Sequence, residues 1–265
     1  MLAASSPPPV LRGAQLYDAL YATGYHSSLN TTRAQEALQT LHSHAAAFGV
    51  RSVLDVGCSH GFAVQQLWSM GFIASGVDVS ALAVAKAKRA RGEPEGRCIL
   101  PCFVRGSATQ IPWPSGAFDA ILSTDALEHV EKNDTIPAVI ELSRVAGKML
   151  VLKIAQRGDM VSAGQHHAWA QRQHQLVQTS SDPTALPSGV LPRDLHPSTH
   201  GPMWWVERFE KLGGWQLHSV LPTPAHRPWM CCGFTLVRWD ATRTRRAPGS
   251  RIWDRCNPLC PEFVI

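Results

Sequence analysis

The chain of 265 residues has an ordinary globular composition, with 45% hydrophobic residues and a formal net charge of +5. A chain of this length can bury one sizeable core, so one α/β domain with insertions is the natural expectation. The charge is too small to imply a nucleic-acid partner, and no apolar run is long enough to span a bilayer. Composition therefore argues against a membrane protein and disfavours nucleic acid as a partner.

Residues 1–50 are predicted to contain a polar tail followed by helices that cap the domain. Serine and proline occupy residues 5–9, where a secretory signal would need an apolar run, so we expect a cytoplasmic protein. Tyr17, Tyr21 and Tyr25 are spaced so that they share one helix face. We interpret this stripe mainly as packing against the domain. The alternative places it above a ligand, with Tyr25 as a substrate contact.

The chain has seven cysteines, an odd number that does not suit a framework of disulfides. We therefore predict reduced thiols, as in intracellular proteins. Cys98 and Cys102 form one closely spaced pair, and Cys256 and Cys260 form another with the same spacing. Structural zinc sites commonly use CxxC spacing instead, so no zinc site is predicted from these pairs.

Residues 51–63 carry the most informative pattern in the sequence, a predicted strand, a glycine turn and the start of a helix. A short apolar run over residues 51–56 predicts one buried strand, Gly57 and Gly61 follow as a turn, and a helical pattern then resumes. This order places a helix N-terminus at the carboxyl end of a parallel strand, where open α/β sheets bind ligands. The two glycines can adopt backbone conformations that side chains forbid, and they let a ligand approach closely.

A second predicted strand, over residues 72–79, carries Asp78 near its end. In nucleotide-binding α/β units, an acid at this position accepts hydrogen bonds from ribose hydroxyls. A loop over residues 106–114 and an apolar run over residues 118–122 follow further along the chain. Together these stretches resemble the class I S-adenosylmethionine-dependent methyltransferase family, and the resemblance covers residues 51–155.

The resemblance implies S-adenosylmethionine as the cofactor. The residues that it assigns to cofactor binding are Asp55, Gly57, Cys58, Gly61, Asp78, Val79, Ser107 and Ala108. Asp55 would serve the turn and the methionine end of the cofactor, and Asp78 would hold the ribose. Ser107 and Ala108 would lie beside the adenine. Ser59 departs from the family pattern, which has a glycine at that position.

The resemblance also implies a doubly wound, Rossmann-like α/β fold. Its mostly parallel seven-stranded sheet would have antiparallel closing strands and a lid inserted after the fifth strand. The third strand is predicted over residues 99–104, where Pro101 favours a sheet edge or a bulge. The predicted organisation begins with an N-terminal tail and capping helices over residues 1–50 and a cofactor-binding core over 51–155. A lid over 156–202, a closing helix and strands over 203–240, and a basic tail over 241–265 follow.

Candidates for catalysis and substrate binding lie in the N-terminal region, after the fourth strand, and in or beside the lid. The catalytic candidates are Asp125, His129, His166 and His200, and the substrate-binding candidates are Tyr25, Trp169 and Trp204. A base is needed only if the attacking atom carries a proton. Aromatic faces would instead suit an acceptor that becomes cationic. Glu128 and His129 could bind a metal with lid histidines, but they lack the fixed spacing of a metal motif, so none is predicted.

The predicted function is a methyltransferase that acts on a small-molecule acceptor through oxygen, nitrogen or sulfur. Transfer would proceed by in-line displacement under a lid that contains histidine and tryptophan. Two alternatives stay open: an RNA- or protein-directed methyltransferase that uses the arginine-rich tail, and a methyltransferase-like binding module without activity. A nicotinamide-dependent oxidoreductase shares the architecture, but the first turn lacks GxGxxG spacing. The sequence does not indicate the oligomeric state.

Overall fold

The computed structural model of the chain describes residues 11–22, 32–155, 196–221 and 233–238. Three of the predicted site residues, Tyr25, His166 and Trp169, lie outside this part of the chain. Most of the predicted lid and all of the basic tail also lie outside it. The core and the closing strands, by contrast, can be compared with their predictions element by element.

The described part of the chain alternates between helices and strands. The helices are α1 Gly13–Ala22, α2 Thr32–Phe48, α3 Phe62–Ser69, α4 Ala81–Arg91, α5 Thr135–Val145 and α6 Pro202–Gly213. The strands are β1 Ser52–Val56, β2 Ile73–Asp78, β3 Phe103–Arg105, β4 Phe118–Thr124, β5 Ala146–Lys153, β6 Trp215–Val220 and β7 Gly233–Arg238. None of the described helices combines the length and apolarity that crossing a bilayer requires.

The seven strands form one sheet in the order β3-β2-β1-β4-β5-β7-β6. Strands β1 to β5 pair in parallel, whereas β7 runs antiparallel to both β5 and β6. The predicted fold class, a mostly parallel sheet with antiparallel closing strands, is thereby confirmed. The strand order reverses between β1 and β4, and open α/β sheets bind ligands at such a switch point.

Two apolar clusters cover the two faces of the sheet. One contains Leu38 and Leu41 of α2 together with Leu67 of α3, and the other contains Leu142 of α5 and Phe209 of α6. The centre of β5, from Met149 to Leu152, is fully buried, as expected for a strand that is covered on both faces. Burying each of these side chains contributes roughly 1.5–3 kcal/mol. The sheet is therefore a rigid platform for the loops at its carboxyl edge.

The third strand is shorter than predicted. Only residues 103–105 form β3, although its position at the sheet edge agrees with the interpretation of Pro101. The preceding residues still follow β2, because the Ser75 hydroxyl bonds the backbone of Ile99 and the Gly76 N–H donates to the Cys102 carbonyl. These contacts use a side chain and isolated amides, so the segment does not form a regular ladder.

The prediction of reduced thiols is wrong for one pair of cysteines. Cys98 and Cys102 form a disulfide, and their Cα atoms lie 5.2 Å apart. The bent backbone before β3 brings these atoms within the distance range that a disulfide requires, which spacing alone does not reveal. Cys58 is a free, buried thiol. The cytoplasmic location, which rested partly on reduced thiols, stays a prediction.

Candidate functional site

A cleft of about 880 Å³, open to solvent, lies at the carboxyl ends of β1, β2 and β4. Four segments line it: α1, the turn after β1, the end of β2 with residues 106–109, and the residues that follow β4. Because these segments meet where the strand order reverses, the sheet topology itself creates the cleft.

The turn after β1 is pressed against both neighbouring strands. The N–H groups of Gly57 and Cys58 both donate to the carbonyl of Val77. Gly57 has φ +84°, and a Cβ added there would lie 2.4 Å from the Cβ of Ala126. Ser59, where the family pattern has glycine, still adopts a left-handed φ of +49°. The turn therefore keeps a glycine-like path at Ser59, and Gly57 has no room for a side chain.

Asp78 closes β2 and lines the cleft. Its Oδ2 accepts a hydrogen bond from the Ser59 N–H at 2.8 Å, and its Oδ1 accepts one from the Ser80 N–H at 2.9 Å. Burial raises the pKa of Asp78 to about 6, although these two N–H bonds act in the opposite direction. Each carboxylate oxygen has a further lone pair. Asp78 can therefore accept ligand hydroxyls while it holds the turn.

Three of the predicted cofactor residues support the turn without lining the cleft. Among the described residues, Asp55, Cys58 and Gly61 are not part of the cleft lining. Burial, with a smaller contribution from Asp78, raises the pKa of Asp55 to about 7, and burial also raises the pKa of the Cys58 thiol. A Cβ on Gly61 would lie 2.6 Å from the Phe103 ring, so this glycine allows close packing on β3 rather than close approach of a ligand.

The loop after β3 supplies the side of the cleft predicted to face adenine. Ser107 and Ala108 line it, as predicted, together with Gly106 and Thr109. The Ser107 hydroxyl accepts a hydrogen bond from the Thr109 N–H at 3.1 Å and lies 2.9 Å from the Thr109 hydroxyl. These bonds fix the loop. The predicted residue Val79 lines the cleft beside Asp78.

Helix α1 lines the cleft, as the alternative interpretation of the tyrosine stripe expected. Tyr17 and Tyr21 both line it, although the stripe was interpreted mainly as packing. The helix is tied to α4 because Asp18 Oδ1 accepts hydrogen bonds from the Ser80 hydroxyl at 2.5 Å and from the Leu82 N–H at 3.1 Å. No local sequence signal links Asp18 to Ser80, which lies far along the chain. Other lining residues that were missed include Gly13, Leu127, Glu131 and Asp134.

Two of the predicted catalytic residues, Asp125 and His129, line the cleft beyond the end of β4. Asp125 has φ +51°, and its N–H donates to the Lys153 carbonyl at 2.9 Å. The His129 ring makes an edge contact with the Tyr17 ring of α1, with centroids 5.7 Å apart. It also lies 4.6 Å from the ring of His196. The segment after β4 therefore joins α1 and the residues before α6.

The predicted residues His200 and Trp204 lie together but outside the cleft lining. Their rings stack with centroids 3.7 Å apart, and the guanidinium of Arg208 lies 4.9 Å from the Trp204 centroid. Trp205, beside them, is fully buried in the core. Within the described residues, these tryptophans pack helix α6 rather than form a cage in the cleft.

A methyltransferase domain family matches residues 54–149 of the chain. This region includes the turn after β1, Asp78, Ser107 and the two residues Asp125 and His129. This match and the fold support a class I S-adenosylmethionine-dependent methyltransferase, as the resemblance implied. The strand order of the sheet, including the antiparallel closing pair, is typical of that family.

Known proteins similar to this class I methyltransferase include one curated relative and several solved structures. The 18S rRNA (guanine-N(7))-methyltransferase bud23 of Schizosaccharomyces pombe is 23% identical over 167 residues, which are 62% of this chain and 58% of that protein. The match thus spans less than two thirds of the relative's length.

Two solved structures share the fold. The magnesium protoporphyrin IX methyltransferase ChlM from Synechocystis PCC 6803, with bound S-adenosylmethionine, has a TM-score of 0.56 at 15% identity, and the match covers 88% of this chain and 100% of that chain. A chain from the complex of the Haloferax volcanii Trm112 methyltransferase activator has a TM-score of 0.58 at 15% identity, with 86% of this chain and 98% of that chain covered. At such identities the likeness concerns the fold.

The cofactor of this family, S-adenosylmethionine, fits the chemistry of the cleft. Asp78 offers carboxylate oxygens for ribose hydroxyls at one side, and Gly57 keeps the turn free of a side chain at the other. Between them, Val77 and Val79 provide apolar contact surface. The donor set and the shape of the turn are thus those that an adenosyl ligand requires.

Proposed function

We propose that this methyltransferase transfers the methyl group of S-adenosylmethionine to a small-molecule acceptor bound in the cleft. The observation that carries the proposal is the preorganised Asp78, already bonded to the turn through Ser59 and still lining the cleft. An acid held in this way meets the ligand without further ordering, so little binding free energy is lost.

Each lining residue then has a role that follows from its position. Asp78 holds the ribose, Ser107 and Ala108 lie beside the adenine, and the backbone at Gly57 approaches the methionine portion. Bound S-adenosylmethionine supplies an electrophilic methyl group on a sulfonium. The protein contributes mainly alignment of the acceptor with that methyl group, which can account for much of the barrier reduction.

His129 is the proposed base for acceptors whose attacking atom carries a proton. It lies on the side of the cleft formed by the segment after β4, together with Asp125. Tyr17 contacts its ring and would restrict its orientation. If the acceptor is an amine or thioether that becomes cationic, no base is needed and the tyrosines of α1 offer ring faces instead.

The proposal is tested with the full-length protein, labelled S-adenosylmethionine and a panel of small metabolites, with methylated products identified by mass. At least one small molecule should be methylated, and His129→Gln should lower turnover of a hydroxyl acceptor while leaving cofactor affinity unchanged. His42→Gln is the matched control, because His42 is exposed on α2 and lies against Phe72. Cofactor binding without any small-molecule product would contradict the proposed acceptor class.

A macromolecular acceptor is the second candidate, and one observation favours it. The curated relative acts, by its name, on 18S rRNA. If this chain acts on RNA, its affinity for an RNA acceptor should fall steeply between 50 and 200 mM salt. Methylation of total RNA but of no small molecule, with that salt dependence, would favour this candidate over the first.

A further inference from the structure

We propose that Glu128, His129 and His196 bind a divalent transition-metal ion at the edge of the cleft. Each of the three offers one ligand atom, and these atoms all lie within 4.8 Å of one another. At the usual metal–ligand distance of about 2.1 Å, two ligands on a tetrahedral ion lie about 3.4 Å apart. The ligand atoms therefore need to close by up to about 1.4 Å, which rotamer adjustments can supply.

The three side chains come from two distant parts of the chain, and hydrogen bonds bring these parts together. Glu128 and His129 lie in the single helical turn after β4, and His196 lies before α6. The Ser198 N–H donates to the Glu128 carbonyl at 3.1 Å, and the Ser198 hydroxyl donates to the Val130 carbonyl at 2.5 Å. These backbone contacts hold His196 beside the turn independently of the three ligand side chains.

Burial makes this cluster different from a chance group on the surface. The side chains of Glu128 and His196 are almost fully buried, whereas His129 is half-buried and lines the cleft. A divalent ion bound here would add positive charge beside the buried Glu128 carboxylate. The alternative role is a network of side-chain hydrogen bonds that only ties residues 196–200 to the turn.

The ligand types indicate the class of metal. Imidazoles suit zinc, cobalt, iron and nickel, whereas magnesium and calcium prefer oxygen ligands alone. Two histidines and one glutamate leave at least one coordination position for water or substrate, as in catalytic rather than structural zinc sites. We therefore commit to Zn²⁺ or a similar first-row divalent ion, with Co²⁺ as its spectroscopic substitute.

The position of His129 gives the ion a role in the proposed reaction, and this part rests on the proposed function. An acceptor hydroxyl bound to the ion loses its proton to solvent more readily. Its oxygen lone pair then forms the bond to the methyl carbon, and the carbon–sulfur pair leaves with the sulfur as a thioether. His129 would orient the ion in this case instead of acting as the base.

Metal binding is tested on untagged full-length protein that has been stripped with a chelator, without cofactor. Zn²⁺ is titrated by calorimetry and Co²⁺ by its visible absorption. Glu128→Gln, His129→Gln and His196→Gln should each weaken binding at least tenfold, since even outer-shell changes cost 10–100-fold. The chain has twelve histidines, so His42→Gln serves as the matched control and should bind as the wild type does.

The outcome separates the two roles of the cluster. Equal Zn²⁺ affinity and equal Co²⁺ spectra in wild type and His196→Gln would overturn the metal site. Thermal unfolding shows whether each variant folds, and if His196→Gln does not, the half-buried His129→Gln gives the same comparison. Metal binding is measured without cofactor, and S-adenosylmethionine binding is measured separately. Co²⁺ binding without S-adenosylmethionine binding would overturn the proposed function alone. S-adenosylmethionine binding without Co²⁺ binding would overturn the metal site alone.

Discussion

Ser59 and Asp78 are joined by a hydrogen bond of 2.8 Å from the Ser59 N–H to Asp78 Oδ2. This contact links the turn after β1 to the acid that ends β2, so the two halves of the proposed cofactor site hold each other in place. A ligand that bridges them meets a site that is already ordered. Changes at either residue are therefore expected to affect the other.

The first prediction concerns the backbone conformation of Ser59. A left-handed φ costs a non-glycine residue on the order of 1 kcal/mol, whereas glycine adopts it freely but loses more entropy on folding. We expect Ser59→Gly to leave the free energy of unfolding unchanged or raise it by up to about 1 kcal/mol, and Ser59→Val to lower it by more than about 1 kcal/mol. Denaturant titration measures both. A Ser59→Val variant as stable as wild type would show that the turn is not constrained.

The second prediction concerns the attachment of α1. Asp18→Ala removes the acceptor of hydrogen bonds from Ser80 and Leu82 and should release α1 from α4. We expect faster amide exchange over residues 13–22 and S-adenosylmethionine affinity lower by a factor of roughly 5–30, equivalent to one or two hydrogen bonds. Glu93→Gln, which breaks only an exposed ion pair with Lys88, is the control. Unchanged exchange and affinity in Asp18→Ala would exclude this anchoring role.

The third prediction concerns the pH dependence of stability. Burial raises the pKa of Asp55 to about 7, so the folded chain binds this proton more tightly than the unfolded chain does. The stabilisation from the proton on Asp55 is fully present below about pH 4 and is lost as the pH rises through about 7. Asp55→Asn should remove this loss, on the order of 4 kcal/mol at 1.36 kcal/mol per pKa unit, while the smaller effect of Asp78 remains. Parallel pH profiles of unfolding free energy for Asp55→Asn and wild type would contradict the assignment.

The fourth prediction concerns the pH dependence of cofactor affinity. The pKa of Asp78 is raised to about 6, chiefly by burial, and ribose hydroxyls bond best to its ionised form. At pH 5 about a tenth of the groups are ionised, so the apparent S-adenosylmethionine affinity should be about tenfold weaker than at pH 7.5. Calorimetric titration at both pH values measures this. A pH-independent affinity would show that the ionised carboxylate does not contact the cofactor.

Local patterns in the sequence predicted the central architecture because strands, turns and helices depend on nearby residues. The run before Gly57, the acid Asp78 and the edge position indicated by Pro101 all agree with the structure. The cleft lining at Gly57, Asp78 and Ser107 followed from the same patterns.

Features that depend on contacts between distant residues were not predictable from those patterns. Asp18 reaches Ser80, and Ser198 places His196 beside His129, only after the sheet has assembled. Gly61 was assigned to ligand approach because it lies in the turn after the first strand, yet a Cβ there would meet the Phe103 ring of the edge strand. In each case the deciding partner lies in another element.

The most direct test of the account is calorimetric titration of S-adenosylmethionine into wild type, Asp78→Asn and Asp119→Asn at pH 7.5. Asp119 is a matched control, because its Oδ2 accepts two backbone N–H bonds, from Arg51 and Ser52, at the opposite end of the sheet. We expect one bound equivalent in wild type and Asp119→Asn, and affinity lower by about 10–100-fold in Asp78→Asn, the equivalent of lost hydrogen bonds to a charged group. Equal affinity in Asp78→Asn and wild type would contradict the placement of the cofactor in this cleft.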